Sequence, residues 1–436
     1  MHIFKAYDIR GVYGEDITDE IALDLGKALG TFLKGKGKVC VGFDTRKSSV
    51  SIFNNFTEGL TSTGCDVISL GMVPNPFAYF YAWKNKIFGC HITASHNPAN
   101  WNGFKLIKPN GVSFIEENKV LESILKSKKF IAGKRGKIIE KDISKEYISF
   151  IKRKIGSLKG KIVVDFLGGA GIKNLEFFKQ VGLEVIPLHT KPDASLYGFH
   201  MLEPWGELLN DAKKAVKKEK VDFGVAYDCD ADRSIFINSA GDYVDPSIVI
   251  GIFIKYLLKK GNVITTFDSA TELEKISNDR GRKLLLSRIG HSFIEQKIVD
   301  ENALFAGEES SHYFLNEFYP FSDGMLTTLS LCKILKETKK SFDELIKETK
   351  IHPILKLYID AKTDEKKDEV IEKLRKGYPK SIDIADGFKI KLNGIEWIII
   401  RGSQTLPEIN LCIEALNEKR LKELSEKYSK IIKKEL

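Results

Sequence analysis

The sequence predicts an α/β chain: three related mixed α/β domains plus a smaller C-terminal α+β domain. Two observations carry this expectation. Lys38–Asp44, Lys161–Phe166 and Asn262–Asp268 each read as a buried strand with an acid at or near its end. Each follows a helical stretch and precedes a Gly or Ser/Thr turn and another helix-like segment, so one α/β grammar recurs along the chain. From about His352 the grammar changes to strand-like Phe388–Leu392 and Gly394–Arg401, then an amphipathic Ile409–Lys434.

Candidate joints lie at the Lys- and Gly-rich stretch 126–137, at Asp242–Asp245 and in the charged segment Lys336–Thr349. They divide the chain into expected domains at residues 1–143, 144–244, 245–349 and 350–436. A length of 436 residues exceeds one core and agrees with several domains. The Gly168-Gly169-Ala170-Gly171 run after the second repeated strand invites a dinucleotide fingerprint, but its third glycine position is Asn174. It reads as a tight strand-to-helix turn, with no nicotinamide cofactor.

Composition narrows the function. Charged residues make up 29% and hydrophobic ones 43%, ordinary for a soluble protein. No run of about eighteen apolar residues occurs, and Met1-His2-Ile3-Phe4 lacks a basic-then-apolar leader, so a cytoplasmic chain without a membrane role is expected. The six cysteines show no paired spacing and read as reduced core residues. A net charge of +9 raises nucleic acid as a partner. The lysines, however, are scattered with glutamates through Ala212–Lys220, Leu335–Lys340 and Glu418–Lys434, the pattern of solvated helix faces. No nucleic-acid partner is expected, and the basic balance favours phosphorylated small molecules.

Two motifs carry chemistry. Thr93-Ala94-Ser95-His96-Asn97-Pro98 follows an apolar run, and Pro98 ends regular structure, so the segment reads as a strand entering a tight loop with an exposed serine. Lys105 stands close behind. A fixed hydroxyl beside proton-transfer groups and positive charge suits a nucleophile or phosphate carrier; a Ser/Asn capping loop is the competing reading. Asp228-Cys229-Asp230-Ala231-Asp232-Arg233 follows the apolar Val221–Tyr227. Its three carboxylates point to one side if the segment is extended, and hard oxygens on a compact loop suit Mg²⁺. An EF-hand fails, because its sixth position is Arg233 and its twelfth is Ser239. Cys229 is not expected as a ligand of such a site. A phosphorylated Ser95 would bring negative charge that Mg²⁺, Arg233 and Lys105 could balance.

At these residues the chain resembles the α-D-phosphohexomutases. The resemblance runs through Phe4–Gly11, Val41–Arg46, Gly71–Pro76, the serine loop, Asp228–Arg233, Gly307–His312 and Arg401–Pro407, in the family's order. It implies an active site in a central cleft where the four domains meet. It also implies interconversion of a hexose 1-phosphate and 6-phosphate, with mannose or glucose as the sugar. The route runs through a phosphoserine and a hexose 1,6-bisphosphate, with Mg²⁺ on Ser95, Asp228, Asp230 and Asp232. Lys105 is the first candidate for the base, with Arg10, His96 and His312 beside it. Substrate binding falls to Tyr7, Arg233, His291, Glu308, Ser310, Arg401, Ser403, Gln404 and Thr405.

Glu308 and Ser310 are expected on adjacent sugar hydroxyls. Arg401–Thr405 are expected as a phosphate clamp, with Pro407 starting a helix whose N-terminus favours anions. Ser311 departs from the glycine, and Gln404 from the asparagine, that the family pattern carries. The alternatives are a phosphoglucosamine mutase, a phosphatase using the same serine, and a silent sugar-phosphate-binding paralogue. The expected partner is a phosphorylated hexose, and the expected assembly a monomer or homodimer.

Overall fold

The structure, a computed structural model, describes residues 3–5, 8–193, 206–257, 260–403 and 406–436. Four sheets follow one another along the chain. The first is mixed and has six strands, in the order Ile9–Val12, Trp101–Ile107, Phe88–Ile92, Lys38–Phe43, Asp66–Met72 and Ile138–Glu140. The second runs Ser234–Asn238, Phe223–Tyr227, Gly160–Asp165, Leu183–Leu188. The third runs Leu284–Ser287, Val263–Thr266, Phe305–Gly307, Tyr313–Leu315. All three expected repeat strands sit inside these sheets, each paired in parallel on both sides.

The relatedness of the three modules shows in their pairing. In each, one parallel neighbour of the repeat strand turns back through a loop into an antiparallel strand: Phe88–Ile92 into Trp101–Ile107, Phe223–Tyr227 into Ser234–Asn238, and Phe305–Gly307 into Tyr313–Leu315. The fourth sheet is wholly antiparallel, in the order Ile354–Asp360, Glu408–Glu414, Trp397–Gly402, Gly387–Lys391, Ile382–Asp383. With its two helices Asp364–Gly377 and Glu418–Glu435 it forms the smaller α+β domain.

Three local expectations are corrected. The segment 126–137 is not a joint, because Ile138–Glu140 returns to pair with Val67–Ser69 in the first sheet. Lys336–Thr349 is mostly helical, in the end of Gly324–Thr338 and in Phe342–Glu348 with only 339–341 between them, rather than one extended linker. Ile409–Lys434 is not one amphipathic helix: Glu408–Glu414 is a central strand, and a helix begins only after Asn417, which caps it by accepting from the Arg420 amide at 3.0 Å. The reason is a change of period. Ile409, Leu411 and Ile413 face the core of the fourth module while Cys412 faces the other side, whereas Leu421, Leu424, Tyr428 and Ile432 follow helical spacing.

The first three modules share one core. The helix Asn75–Asn85 is buried nearly throughout, and its Phe77 and Phe80 pack on Tyr147 while Tyr79 stacks on Phe321. Each such ring contributes about 1.5–3 kcal/mol on burial, so the modules are welded rather than loosely strung. No helix among the described residues is long and apolar enough to cross a membrane.

Candidate active site

The three hairpin loops, and the loop from Trp397–Gly402 to Glu408–Glu414 in the fourth module, converge on one cavity of about 330 Å³. Ser95, Arg233, Glu308 and Ser403 all line it, one from each module. Four segments remote in sequence thus meet because they occupy the same kind of connection in their sheets.

The serine loop is held from beneath by Arg46. Its guanidinium donates to the carbonyls of Ser95 and Asn97, both at 2.6 Å, to Trp101 O at 3.1 Å, and to Pro98 O. Asp44 neutralises Arg46 at 3.1 Å. Ser95 itself is left-handed, with φ 51°, and its amide donates to Thr93 Oγ1. Its hydroxyl donates to Asp228 Oδ2 at 2.8 Å and lies 3.3 Å from His96 Nδ1. The expected exposed serine is instead 1% exposed, because the aspartate loop of the second module closes over it. Arg10 also lines the cavity; it pairs with Asp8 at 2.5 Å and donates to Asn97 Oδ1 at 2.8 Å. Tyr7 lies outside the described residues. Burial, and then the nearby charges of Arg233 and Arg10, hold the His96 pKa well below the usual histidine value.

The aspartate loop is a turn rather than an extended strand, with Ala231 left-handed at φ 59°. The three carboxylates still meet: oxygens of Asp228, Asp230 and Asp232 lie within 4.8 Å of one another, all buried. Lys105 Nζ reaches Asp230 at 2.9 Å and Asp232 at 2.6 Å, and Asn75 Nδ2 donates to Asp232 at 2.8 Å. Burial, reinforced by Asp230 and Asp232, pushes the Asp228 carboxyl well above its usual range. Burial works against the charge on Lys105, yet the two aspartates outweigh it and raise the amine's pKa. Asp230 Oδ1 and Asp232 Oδ1 are buried without a hydrogen-bond partner. An oxygen-only set with unsatisfied lone pairs fits Mg²⁺. Cys229 Sγ turns away to Asp44 and Thr45, both at 3.7 Å, as a non-ligand would.

In the third module Glu308 accepts from the Gly290 amide at 2.7 Å and, with Ser310, lines the cavity. Its pKa is raised by burial first and Asp268 second. Ser311 takes the left-handed conformation expected of the glycine it replaces, φ 66°, so the turn is kept at a local cost of about 1–2 kcal/mol. The two histidines are held differently. His291 opens the helix His291–Glu301 and bonds through Nδ1 to Glu295 at 2.8 Å. His312 accepts from Arg233 Nε through Nε2 at 3.1 Å, and burial and that guanidinium keep it neutral by lowering its pKa. A lone pair already occupied by Arg233 disfavours His312 as a proton acceptor in this arrangement.

At the clamp, Arg401 lines the cavity and is tethered to Asp386 at 2.7 Å. Ser403 Oγ accepts from the Leu406 amide at 3.2 Å. Gln404 and Thr405 lie outside the described residues. No helix follows Pro407: the chain enters the strand Glu408–Glu414, paired on both sides, so no helix N-terminus adds to the clamp. Sequence reasoning missed Lys356, Asp268 and Asn410, which also line the cavity. Lys356 lies 3.6 Å from Glu309 and 3.7 Å from Asp268, a pairing across modules that leaves no local pattern. A second grouping, Glu272, His352 and Glu414, lies where the third and fourth modules join; Glu272 pairs with His352, and Glu414 accepts from Thr271.

Residues 1–132, 145–241 and 245–351 match the family domains described as phosphoglucomutase/phosphomannomutase alpha/beta/alpha domains I, II and III. A Thermococcus kodakarensis protein named phosphoglucomutase/phosphomannomutase is 32% identical over 460 residues, spanning 100% of this chain and 99% of its own. A Methanothermobacter thermautotrophicus protein named probable phosphoglucosamine mutase is 32% identical over 438 residues, spanning 98% and 96%. The crystal structure of a phosphoglucomutase/phosphomannomutase family protein from Burkholderia thailandensis superposes with a TM-score of 0.86 at 27% identity, covering 100% of this chain and 97% of that one.

Proposed function

This chain belongs to the α-D-phosphohexomutase family, and on that premise we propose that it interconverts a hexose 1-phosphate and the 6-phosphate through a phosphoserine at Ser95. The observation that carries this reading is the Ser95 hydroxyl, 2.8 Å from Asp228 in a cavity shared with the sugar loop and the clamp. The domains would run over 1–143, 144–244, 245–349 and 350–436.

Phospho-Ser95 transfers its phosphoryl group to the free hydroxyl of the bound sugar phosphate. The serine O–P bond breaks, a sugar O–P bond forms, and the hydroxyl proton passes to a base in the cavity. The hexose 1,6-bisphosphate then turns over, and the reverse transfer from its other phosphate restores the phosphoserine. Asp228, Asp230, Asp232 and an oxygen on Ser95 would hold Mg²⁺, which supplies neutralising charge at the phosphoryl group. Arg233 adds a fixed positive charge beside the serine. Glu308, Ser310 and His291 orient the sugar, and Tyr7 is a further candidate for binding it. Arg401, Ser403, Gln404 and Thr405 grip the phosphate that is not reacting.

Lys105 is the leading base, ahead of Arg10, His96 and His312. Its pairing with Asp230 and Asp232 keeps it protonated, so base work by Lys105 requires that pairing to loosen. Mannose or glucose is the sugar in this reading. Glucosamine is a second reading, favoured by the equally similar relative named probable phosphoglucosamine mutase.

The test is conversion of mannose, glucose and glucosamine 1-phosphates with a trace of glucose 1,6-bisphosphate. Turnover far beyond the bisphosphate added supports a mutase, and the preferred sugar names it. Release of inorganic phosphate, or no reaction with any of the three, overturns the proposal.

A further inference from the structure

His291 begins the helix His291–Glu301 directly after Gly290, whose φ of 124° only glycine adopts without strain. Glu295 stands one turn later on the same face. It is fully buried, at 0% exposure, and both its oxygens are engaged. Oε1 lies 2.8 Å from His291 Nδ1, and Oε2 accepts from the Ser113 amide of the first module at 2.7 Å. Ser113 is fixed in turn by Tyr79, whose hydroxyl lies 2.7 Å from its Oγ. The neighbouring Gln296 accepts from Lys108, also of the first module, at 3.2 Å.

Burying a carboxylate is costly, and docking two modules would need only a glutamine of the same shape. The charge has a different use. A carboxylate only accepts, so the proton of His291 sits on Nδ1 and Nε2 is the ring's accepting nitrogen, on a side chain that lines the cavity. We propose that Glu295 is a positioning residue that fixes His291 toward the bound sugar and ties its aim to the first module, which carries Ser95. The proposal rests on the mutase reading above, which gives His291 a substrate to face.

A double-mutant cycle on the full chain tests it. Glu295→Gln should lower kcat/KM about tenfold or more, the scale of losing the partner that orients a functional histidine. In a His291→Ala background the same change should cost less than about twofold, because the effect travels through His291. A Glu295→Gln enzyme with unaltered kcat/KM, or one whose full loss persists without His291, would overturn the assignment. If Glu295→Gln fails to fold, the wild type still decides. A low-field imidazole N–H resonance that disappears in His291→Ala is expected, and its absence contradicts the pair. A wild type that converts none of the three sugar phosphates would instead remove the mutase reading, and this inference with it.

Discussion

The Ser95 hydroxyl and the Asp228 carboxylate meet at 2.8 Å although 133 positions separate them in the chain. The contact joins the first and second modules, and it sets the candidate phosphoryl carrier against three acids that repel one another. Burial and the two other aspartates already push the Asp228 carboxyl well above its usual range. Lys105 neutralises Asp230 and Asp232, at 2.9 and 2.6 Å, so full ionisation of the cluster calls for a further cation at Asp228.

Magnesium binding should therefore displace a proton. Asp228 has a raised pKa, so below that value each bound Mg²⁺ releases about one proton, and affinity rises with pH until Asp228 is ionised. Calorimetry in buffers of different ionisation enthalpy reads the proton count. Asp230→Asn should weaken Mg²⁺ by at least about tenfold. An unchanged titration would remove Asp230 from the ligand set.

Arg46 should matter for stability as much as for activity. Arg46→Met leaves Asp44 buried without its partner and strips the carbonyls of Ser95, Asn97 and Trp101 of their donor. A cost of about 3–5 kcal/mol in urea unfolding is expected. A loss below about 1 kcal/mol would mean that the loop holds its shape without this guanidinium.

Glu309 should make stability fall as the pH rises from mildly acid to about 8. Burial, and then Asp245, push its pKa up to about 8 in the folded chain, against about 4.3 unfolded. Between those values the folded state binds the extra proton, so this group's contribution declines as pH rises through the window and levels off above it. Glu309→Gln should match the wild type near pH 4 and exceed it above about pH 8, by order 1 kcal/mol or more. Parallel stability curves for the two proteins would contradict the assignment.

Ser403→Ala should raise KM for the sugar phosphate more than it lowers kcat, if the clamp mainly binds. Steady-state kinetics distinguish this from the opposite split, which would put the clamp in the chemistry.

Much of the fold was legible because burial leaves a local pattern. The three strand-plus-acid repeats became the central strands of three sheets, and each chemical motif fell on a hairpin loop. What was not legible arises between segments. Ile409–Ile413 alternates with period two but adjoins Leu421–Ile432 with helical period, and the joined pattern passed for one helix. Ser95 looked exposed because nothing near it in sequence announces the loop that covers it. Arg46, Lys356 and Glu295 act on partners in other elements or modules, and only the assembled sheets bring those partners within reach.

The central claim is that Ser95 carries the phosphoryl group and passes it to a sugar. Incubation with glucose 1,6-bisphosphate labelled with radioactive phosphate, followed by peptide mapping, tests it directly. The label should appear on the Ser95 peptide, move to sugar phosphate when unlabelled substrate is added, and be absent from a folded Ser95→Ala protein. Label on another residue, or its departure as inorganic phosphate, would contradict the account.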